Sequence, residues 1–220
     1  MGKAVFVTGT GTDVGKTYVT GLLVKKMQAN YYKPVLSGAK FINEKLIAMD
    51  ALKIIQMSGL KAKPNDLVSF VFEEALSPHL ASKRANFPIE LDKIKKDYQL
   101  AKKNSDYLFV EGAGGIICPF RDDNEQLMLV DVIHKLNLPI LIVCTSRLGS
   151  INATMLTVEY ARSKEIKIAG IIMNNFVKNN LICEDNKRMI EKLSKVQVID
   201  TVAKGQKELM ISKNKLASLF

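Results

Sequence analysis

At 220 residues, 47% hydrophobic and 25% charged, the chain is too apolar for a disordered protein and long enough for one large α/β domain with a sizeable core. No uncharged apolar run reaches the ~18–20 residues of a membrane span, and MGKAVFVTGT lacks a signal peptide's long apolar stretch and small-residue cleavage site. The 32 Lys and Arg against 22 Asp and Glu leave a net charge of +10, which raises the question of anionic partners.

In chain order, KAVFVT at 3–8 is a β-branched run ending in glycines, the pattern of a buried strand. A helix follows from Thr17, with Val19, Leu22, Leu23 and Met27 at helical spacing. Residues 31–35 predict a second strand, closed by Ser37-Gly38. Residues 46–57 predict a helix that stops at Ser58-Gly59. Residues 67–72 read as a short strand, and Ser77-Pro78-His79 opens a helix or turn. An amphipathic helix over 89–103 carries Leu91, Ile94, Tyr98 and Ala101 on one stripe, with Leu100 off it. The second half reads as a strand at 106–110 ending at Glu111, a helix at 127–136, and an apolar strand at 139–144. A helix at 151–163 capped near Ser150 or Asn152, a strand at 166–173 and a helix at 184–193 follow. Apolar strands alternating with helices predict a mostly parallel sheet with helices on both faces. The expected fold is a single α/β domain over residues 1–220, and the glycine-rich GTGTDVGKT at 9–17, between the first strand and the first helix, makes it P-loop NTPase-type.

The excess charge falls largely in two places: Lys93, Lys95, Lys96, Lys102 and Lys103 in one helical stretch, and Lys204, Lys207, Lys213 and Lys215 farther on. Aromatic residues do not interleave with them as a stacking platform requires, and Trp is absent. They read as solvated basic faces, so neither nucleic acid nor membrane is an expected partner. Cys118, Cys144 and Cys183 cannot all pair within one chain and form no C-x-x-C. They are expected as buried free thiols in a reducing, cytoplasmic setting.

Residues 9–17, GTGTDVGKT, follow a strand and open a helix, the context of a phosphate-binding loop. Glycines let backbone N–H groups turn toward phosphate oxygens, and the helix N-terminus adds partial positive charge. Lys16 would reach the β- and γ-phosphates and the Thr17 hydroxyl a Mg²⁺ ion. The loop departs from G-x-x-x-x-G-K-[ST]: Thr10 stands where glycine is usual, and Gly9 is one residue too far from Gly15. A Mg²⁺–nucleotide site also needs carboxylates. Glu111 ends a buried strand before Gly112-Ala113-Gly114-Gly115, at the edge where parallel sheets gather ligands. Asp50, near a helix start, reads equally as a carboxylate stabilised by the helix dipole. Lys33, at or near the end of the second strand, reads either as an anion-binding lysine or as a surface-pointing one. His79 and His134 lack ligand-spaced neighbours, so zinc is not expected.

Taken in order, GTGTDVGKT, YKPVLSG at 32–38, MDAL at 49–52, SPH at 77–79, VEGAGG at 110–115 and RLGSIN with MLT over 147–157 resemble the dethiobiotin synthetase family. That family's phosphate loop has the same longer spacing. The resemblance implies an ATP-dependent ligase that takes 7,8-diaminopelargonic acid and CO₂. One amine captures CO₂ as a carbamate, the carbamate takes the γ-phosphoryl as a carbamic–phosphoric anhydride, and the other amine closes the ureido ring. It implies that Thr12, Asp13, Val14, Gly15, Lys16, Thr17 and Tyr18 surround the triphosphate. Thr17, Asp50 and Glu111 would hold Mg²⁺, and Lys33 would meet both the carbamate and the moving phosphoryl. Ser37 would bond the carbamate or diamine, and Gly112, Ala113 and Gly114 would line the nucleotide. Gly149, Ser150 and Asn152 would bind the substrate carboxylate from a second subunit, implying a homodimer. Asn174, with Asn175, matches the residue that reads the base. Residues 196–208, VQVIDTVAKGQKE, lack the proline relatives carry there, which predicts a weaker preference for ATP over other nucleoside triphosphates. The competing class is a partition or regulatory P-loop ATPase that switches a dimer. It would have no use for YKPVLSG.

Overall fold

The computed structural model describes residues 2–103 and 105–220. The elements run β1 (Lys3–Gly9), α1 (Lys16–Met27), β2 (Asn30–Ser37), β3 (Lys40–Ile42), β4 (Lys45–Ile47), α2 (Met49–Ser58) and β5 (Val68–Phe72). They continue through α3 (Pro78–Arg84), α4 (Leu91–Lys103), β6 (Tyr107–Glu111), β7 (Pro119–Asp122), β8 (Gln126–Met128), α5 (Leu129–Leu136) and β9 (Ile140–Thr145). The remainder is α6 (Ser150–Ser163), β10 (Ile168–Asn174), α7 (Leu181–Ser194), β11 (Val198–Val202) and α8 (Lys213–Ala217).

Seven strands form one sheet in the order β11-β10-β9-β1-β6-β2-β5, and every pairing in it is parallel. Alternation along β1 explains why the sheet needs cover on both faces. Val5 and Val7 point to the side packed by α1, α2 and α8, whereas Ala4 and Phe6 point to the side packed by α3 to α7. The strand order reverses around β1, with β6 on one side and β9 on the other. In such sheets the crevice at the carboxyl ends of the strands at this reversal is the natural ligand site. Here the 9–17 loop leaves β1 and Glu111 ends β6.

Local chemistry accounts for the departures from the sequence expectation. The helix expected from 46 starts at Met49, because β3 and β4 pair as a hairpin. Its turn residues Asn43 (φ 48°) and Glu44 (φ 63°) both take the left-handed conformation of a type I′ turn. The helix expected from 127 starts at Leu129, because β8 pairs with β7. The Asp131 carboxylate accepts from the Met128 N–H at 2.7 Å and closes the helix start. The cap of α6 is Gly149 (φ 87°), not Ser150 or Asn152. α7 begins at Leu181, ahead of the expected 184, because Asn180 caps it through its side chain. Asn174 closes β10 instead of following it. β11 has no counterpart among the expected strands. Asp200 interrupts its apolar run, and that carboxylate accepts from the N–H groups of Thr201, Met210 and Ile211.

The most consequential difference concerns β2. It runs to Ser37, so Lys33 sits mid-strand and not at the strand end. Pro34 has no N–H to donate, and β2 pairs with β6 only through Asn30–Tyr32 before pairing with β5 from Lys33 onward. The two strands therefore part beyond Tyr32, and Lys33 lies where they do.

On α4, Ile94 is fully buried whereas Leu100, the residue off the stripe, is 55% exposed. Ile94→Ala should destabilise the fold by about 2–5 kcal/mol, and Leu100→Ala should change it by less than about 0.5 kcal/mol. Urea unfolding of the two variants beside the parent checks both values.

Candidate active site

The loop between β1 and α1 is shaped by two left-handed residues, Asp13 (φ 58°) and Gly15 (φ 90°). At Gly15 a side chain is excluded twice over, since a Cβ there would lie 2.0 Å from Asn174 Nδ2. That amide donates to the Val14 carbonyl at 3.0 Å, so the end of β10 braces the loop from behind. Lys16 Nζ donates across the loop to the Gly11 carbonyl at 2.9 Å. Burial, then the nearby Lys33 ammonium, push Lys16 below the usual lysine value against the pull of Glu111 and Asp50.

Glu111 is fully buried at the end of β6. Its Oε1 accepts from Thr17 Oγ1 at 2.8 Å and from Lys33 Nζ at 2.7 Å. Lys33 also pairs with Asp50 Oδ2 at 2.9 Å, while being only 4% exposed itself. Burial alone would lower the Lys33 ammonium, but Glu111 and Asp50 outweigh it and hold Lys33 above the usual lysine range. For Asp50 burial likewise opposes the charge, and Lys33 overrides it to hold the carboxyl below its ordinary value. Lys33 is thus not surface-pointing, and Asp50 is paired with it as well as standing in the first turn of its helix.

These groups line one cavity of about 820 Å³. Thr12, Asp13, Gly15, Lys16, Thr17 and Tyr18 reach it from the loop and α1. Lys33, Ser37 and Asp50 reach it from β2 and α2, and Glu111, Gly112, Ala113 and Gly114 from the end of β6. Val14, in the loop itself, and Asn174 and Asn175 lie outside the lining: Asn174 Oδ1 is buried without a partner among the described residues, and the Asn175 carbonyl accepts from Ser146 Oγ at 2.7 Å. Gly149, Ser150 and Asn152 also lie outside the lining. The sequence reading missed Lys53, one turn along α2 from Asp50 and 5.9 Å from the Tyr18 ring centroid. It also left Ser77 and Pro78 without a role, although SPH had stood out as a motif. Both line the cavity.

Thr17, Asp50 and Glu111 supply the hard oxygen donors that suit Mg²⁺. Their grouping fits that use: all three line the cavity, and Thr17 Oγ1 lies 2.8 Å from Glu111 Oε1. Ser37 Oγ, which also lines the cavity, is buried and has no hydrogen-bond partner among the described residues. Cys118 shares the cavity, but burial pushes its thiol up to about 11 despite Lys16 and Lys33, which leaves it a protonated thiol at neutral pH.

Two outcomes are expected. Lys33→Met should destabilise the protein by about 3–5 kcal/mol, because it strips a buried carboxylate of its cation, and adding Glu111→Gln should restore most of that loss. Urea unfolding at pH 7 measures both. In the native protein Cys118 and Cys144 should react slowly with iodoacetamide at pH 8 and faster only as the pH approaches about 11, to which burial pushes both thiols. Mass spectrometry of the labelled peptides follows each site.

An AAA domain family model matches residues 3–206. The chain is 47% identical over 203 residues to the ATP-dependent dethiobiotin synthetase BioD of Clostridium botulinum (strain Eklund 17B / Type B), covering 90% of this chain and 89% of that one. It is 42% identical over 226 residues to the same enzyme of Brachyspira hyodysenteriae, across the full length of both. Among solved structures, the cell division ATPase MinD of Pyrococcus furiosus superposes with a TM-score of 0.55 at 16% identity, over 92% of this chain and 84% of that one. A ParA family ATPase from Chlorobium tepidum gives 0.54 at 15%, over 90% and 84%. At such identities these structures speak to the P-loop fold alone, whereas the sequence relatives match nearly the whole chain: the chain belongs to the dethiobiotin synthetase family.

Proposed function

We propose that the chain is an ATP-dependent cyclo-ligase that closes the ureido ring of dethiobiotin from 7,8-diaminopelargonic acid and CO₂. The observation that carries this reading is Lys33, a buried ammonium between Glu111 and Asp50, in the same cavity as the phosphate loop. A switching ATPase needs the loop. A reaction that joins a carbamate to a γ-phosphoryl needs, in addition, a cation where two anions meet.

In the proposed sequence, one substrate amine adds to CO₂ and loses a proton to give a carbamate. A carbamate oxygen attacks the γ-phosphorus and ADP leaves, forming the carbamic–phosphoric anhydride. The second amine then attacks the carbonyl carbon and loses a proton as phosphate departs, closing the ring. Lys16 grips the β- and γ-phosphates and offsets the charge of transfer. Lys33 lies between carbamate and phosphoryl and lowers their repulsion. Ser37, whose hydroxyl is unpartnered among the described residues, hydrogen-bonds the carbamate or diamine. Gly112, Ala113 and Gly114 let the backbone approach the nucleotide, and Asn174, with Asn175, reads the base. Mg²⁺, held by Thr17, Asp50 and Glu111, would supply charge neutralisation on the phosphates. The attacking amine belongs to the same molecule as the activated carbamate, so ring closure is intramolecular, which lowers its barrier.

Gly149, Ser150 and Asn152 start α6 outside the chain's own cavity, beside Leu148, which is 77% exposed. This supports a homodimer in which they serve the partner's site, with the helix N-terminus receiving the substrate carboxylate. The absence of disulfides at the buried Cys118, Cys144 and Cys183 supports a cytoplasmic location. No helix among the described residues is long and apolar enough to cross a membrane.

The deciding assay combines the diamine, bicarbonate, Mg²⁺ and ATP and follows dethiobiotin by mass spectrometry. ATP turnover that ignores the diamine would replace this reading with the switching ATPase. Lys16→Ala and Lys33→Ala should each lower kcat roughly 100-fold or more, and near-normal turnover in Lys33→Ala would remove its role. Sedimentation of active enzyme should show a dimer. With ATP, GTP and CTP compared by kcat/KM, the proline-free stretch 196–208, which contains β11, should give a narrower gap than strict ATP enzymes show.

A further inference from the structure

Two buried polar atoms on one sheet face each lack a hydrogen-bond partner among the described residues: the Tyr31 hydroxyl and Glu111 Oε2. Both residues are fully buried. An unpartnered buried hydroxyl and an unpartnered buried carboxylate oxygen are each unfavourable alone, so two that complement one another are informative together. Register brings them close. Tyr31 on β2 stands opposite Phe109 on β6, and Glu111 is two residues beyond Phe109 on the same face. They are diagonal neighbours across the strand pair, a separation that a phenol and a glutamate side chain together span. The face is the one packed by α1, from which Thr17 reaches the other oxygen of the same carboxylate.

We propose that Tyr31 is a positioning residue, whose hydroxyl donates to Glu111 Oε2 and fixes the carboxylate plane so that Oε1 stays turned to Thr17 and Lys33. Glu111 would otherwise hold its orientation through one oxygen only, since Thr17 and Lys33 both bond Oε1. A carboxylate held at one oxygen can swing about its terminal torsion, which is broad and shallow. Held at both, it presents a single face to the cavity. Burial and then the Glu111 charge keep the phenol well above its usual range, so it remains a donor at every working pH. Tyr31 does not line the cavity, so it acts through Glu111 and touches no substrate. The inference rests on the reading of Glu111 as part of the nucleotide site.

A double-mutant cycle with Tyr31→Phe and Glu111→Gln tests it. The readouts are thermal unfolding, calorimetric binding of a non-hydrolysable ATP analogue in EDTA and across a Mg²⁺ titration, and steady-state kinetics. Removing one oxygen should leave the fold and the EDTA affinity within about twofold of the parent, while raising the Mg²⁺ midpoint and lowering kcat roughly 10-fold, the scale of one hydrogen bond to a charged group. KM for the diamine should not move. On the Glu111→Gln background, Tyr31→Phe should add nothing. The inference is overturned if Tyr31→Phe leaves the Mg²⁺ midpoint and kcat unchanged, if it weakens binding equally with and without Mg²⁺, or if its effect adds fully to that of Glu111→Gln. If Glu111→Gln itself is silent in both readouts, the assignment of Glu111 to the site fails, and the role of Tyr31 fails with it.

Discussion

A carboxylate taken fully out of water must be met by a cation or it destabilises the fold that holds it. Glu111 is met by Lys33, which is almost as deeply buried and is shared with Asp50. Three elements distant in sequence, β2, α2 and β6, are tied at that point, and Thr17 ties α1 to it as well. The pairing rests on a backbone detail. Pro34 cannot donate to a neighbouring strand, and β2 leaves β6 just where Lys33 needs room to cross to Glu111. The mutual charges also fix the pH range of the arrangement. Asp50 is held below its ordinary value of 3.8, so its contribution is present above that pH and is lost as pH falls through the lowered folded-state value. Lys33 is held above its ordinary 10.5, so its contribution is complete below 10.5 and fades only as pH rises through the raised folded-state value. Between those limits the Lys33–Asp50 pair keeps one charge state.

The sheet delivers these groups to one edge. Gly9 and Glu111 end neighbouring parallel strands, and the order of strands reverses beside them. Parallel strands aim their carboxyl ends the same way, so loops that follow them converge without any long-range search for geometry. The brace from Asn174 to Val14 extends this to β10, on the far side of β9. The phosphate loop is consequently shaped from two directions: by its own left-handed residues, and by an amide that leaves no space for a side chain at Gly15.

The parallel sheet, its helices on both faces and the loop's place between β1 and α1 were legible because each rests on local signals, namely β-branched runs, helical periodicity and a glycine-rich turn. The short hairpins were not. Asn43-Glu44 makes a type I′ turn without the glycine that usually announces one, so β4 read as the start of a helix. β11 was hidden by Asp200, whose charge is satisfied by the N–H groups of Met210 and Ile211, ten and more residues away in sequence. Lys33 was ambiguous for a related reason. Whether a mid-strand lysine faces water or an anion depends on what lies across the sheet, and Glu111 is a tertiary neighbour that no window around Lys33 contains. Tyr31 gave no sequence signal at all, since a tyrosine in a buried strand is ordinary until its hydroxyl is found without a partner. Lys53 could have been noticed, because it lies one helical turn from Asp50.

The place of β1 in the sheet bears on how the chain is born. Lys3 lies against Tyr107, and Phe6 against both Val110 and Ile140, so the central strand has no partner until distant sequence has been made. A nascent chain emerging from the ribosome therefore carries VFV and the helix after it as exposed apolar surface while β2 and β5 are still waiting for β6. Contacts of such sequence separation form slowly and leave unpaired strand edges open to other chains. The same topology that gathers a nucleotide site at one edge thus makes this protein one whose yield in the cell should depend on translation speed and on chaperones that shield a strand before its neighbour arrives.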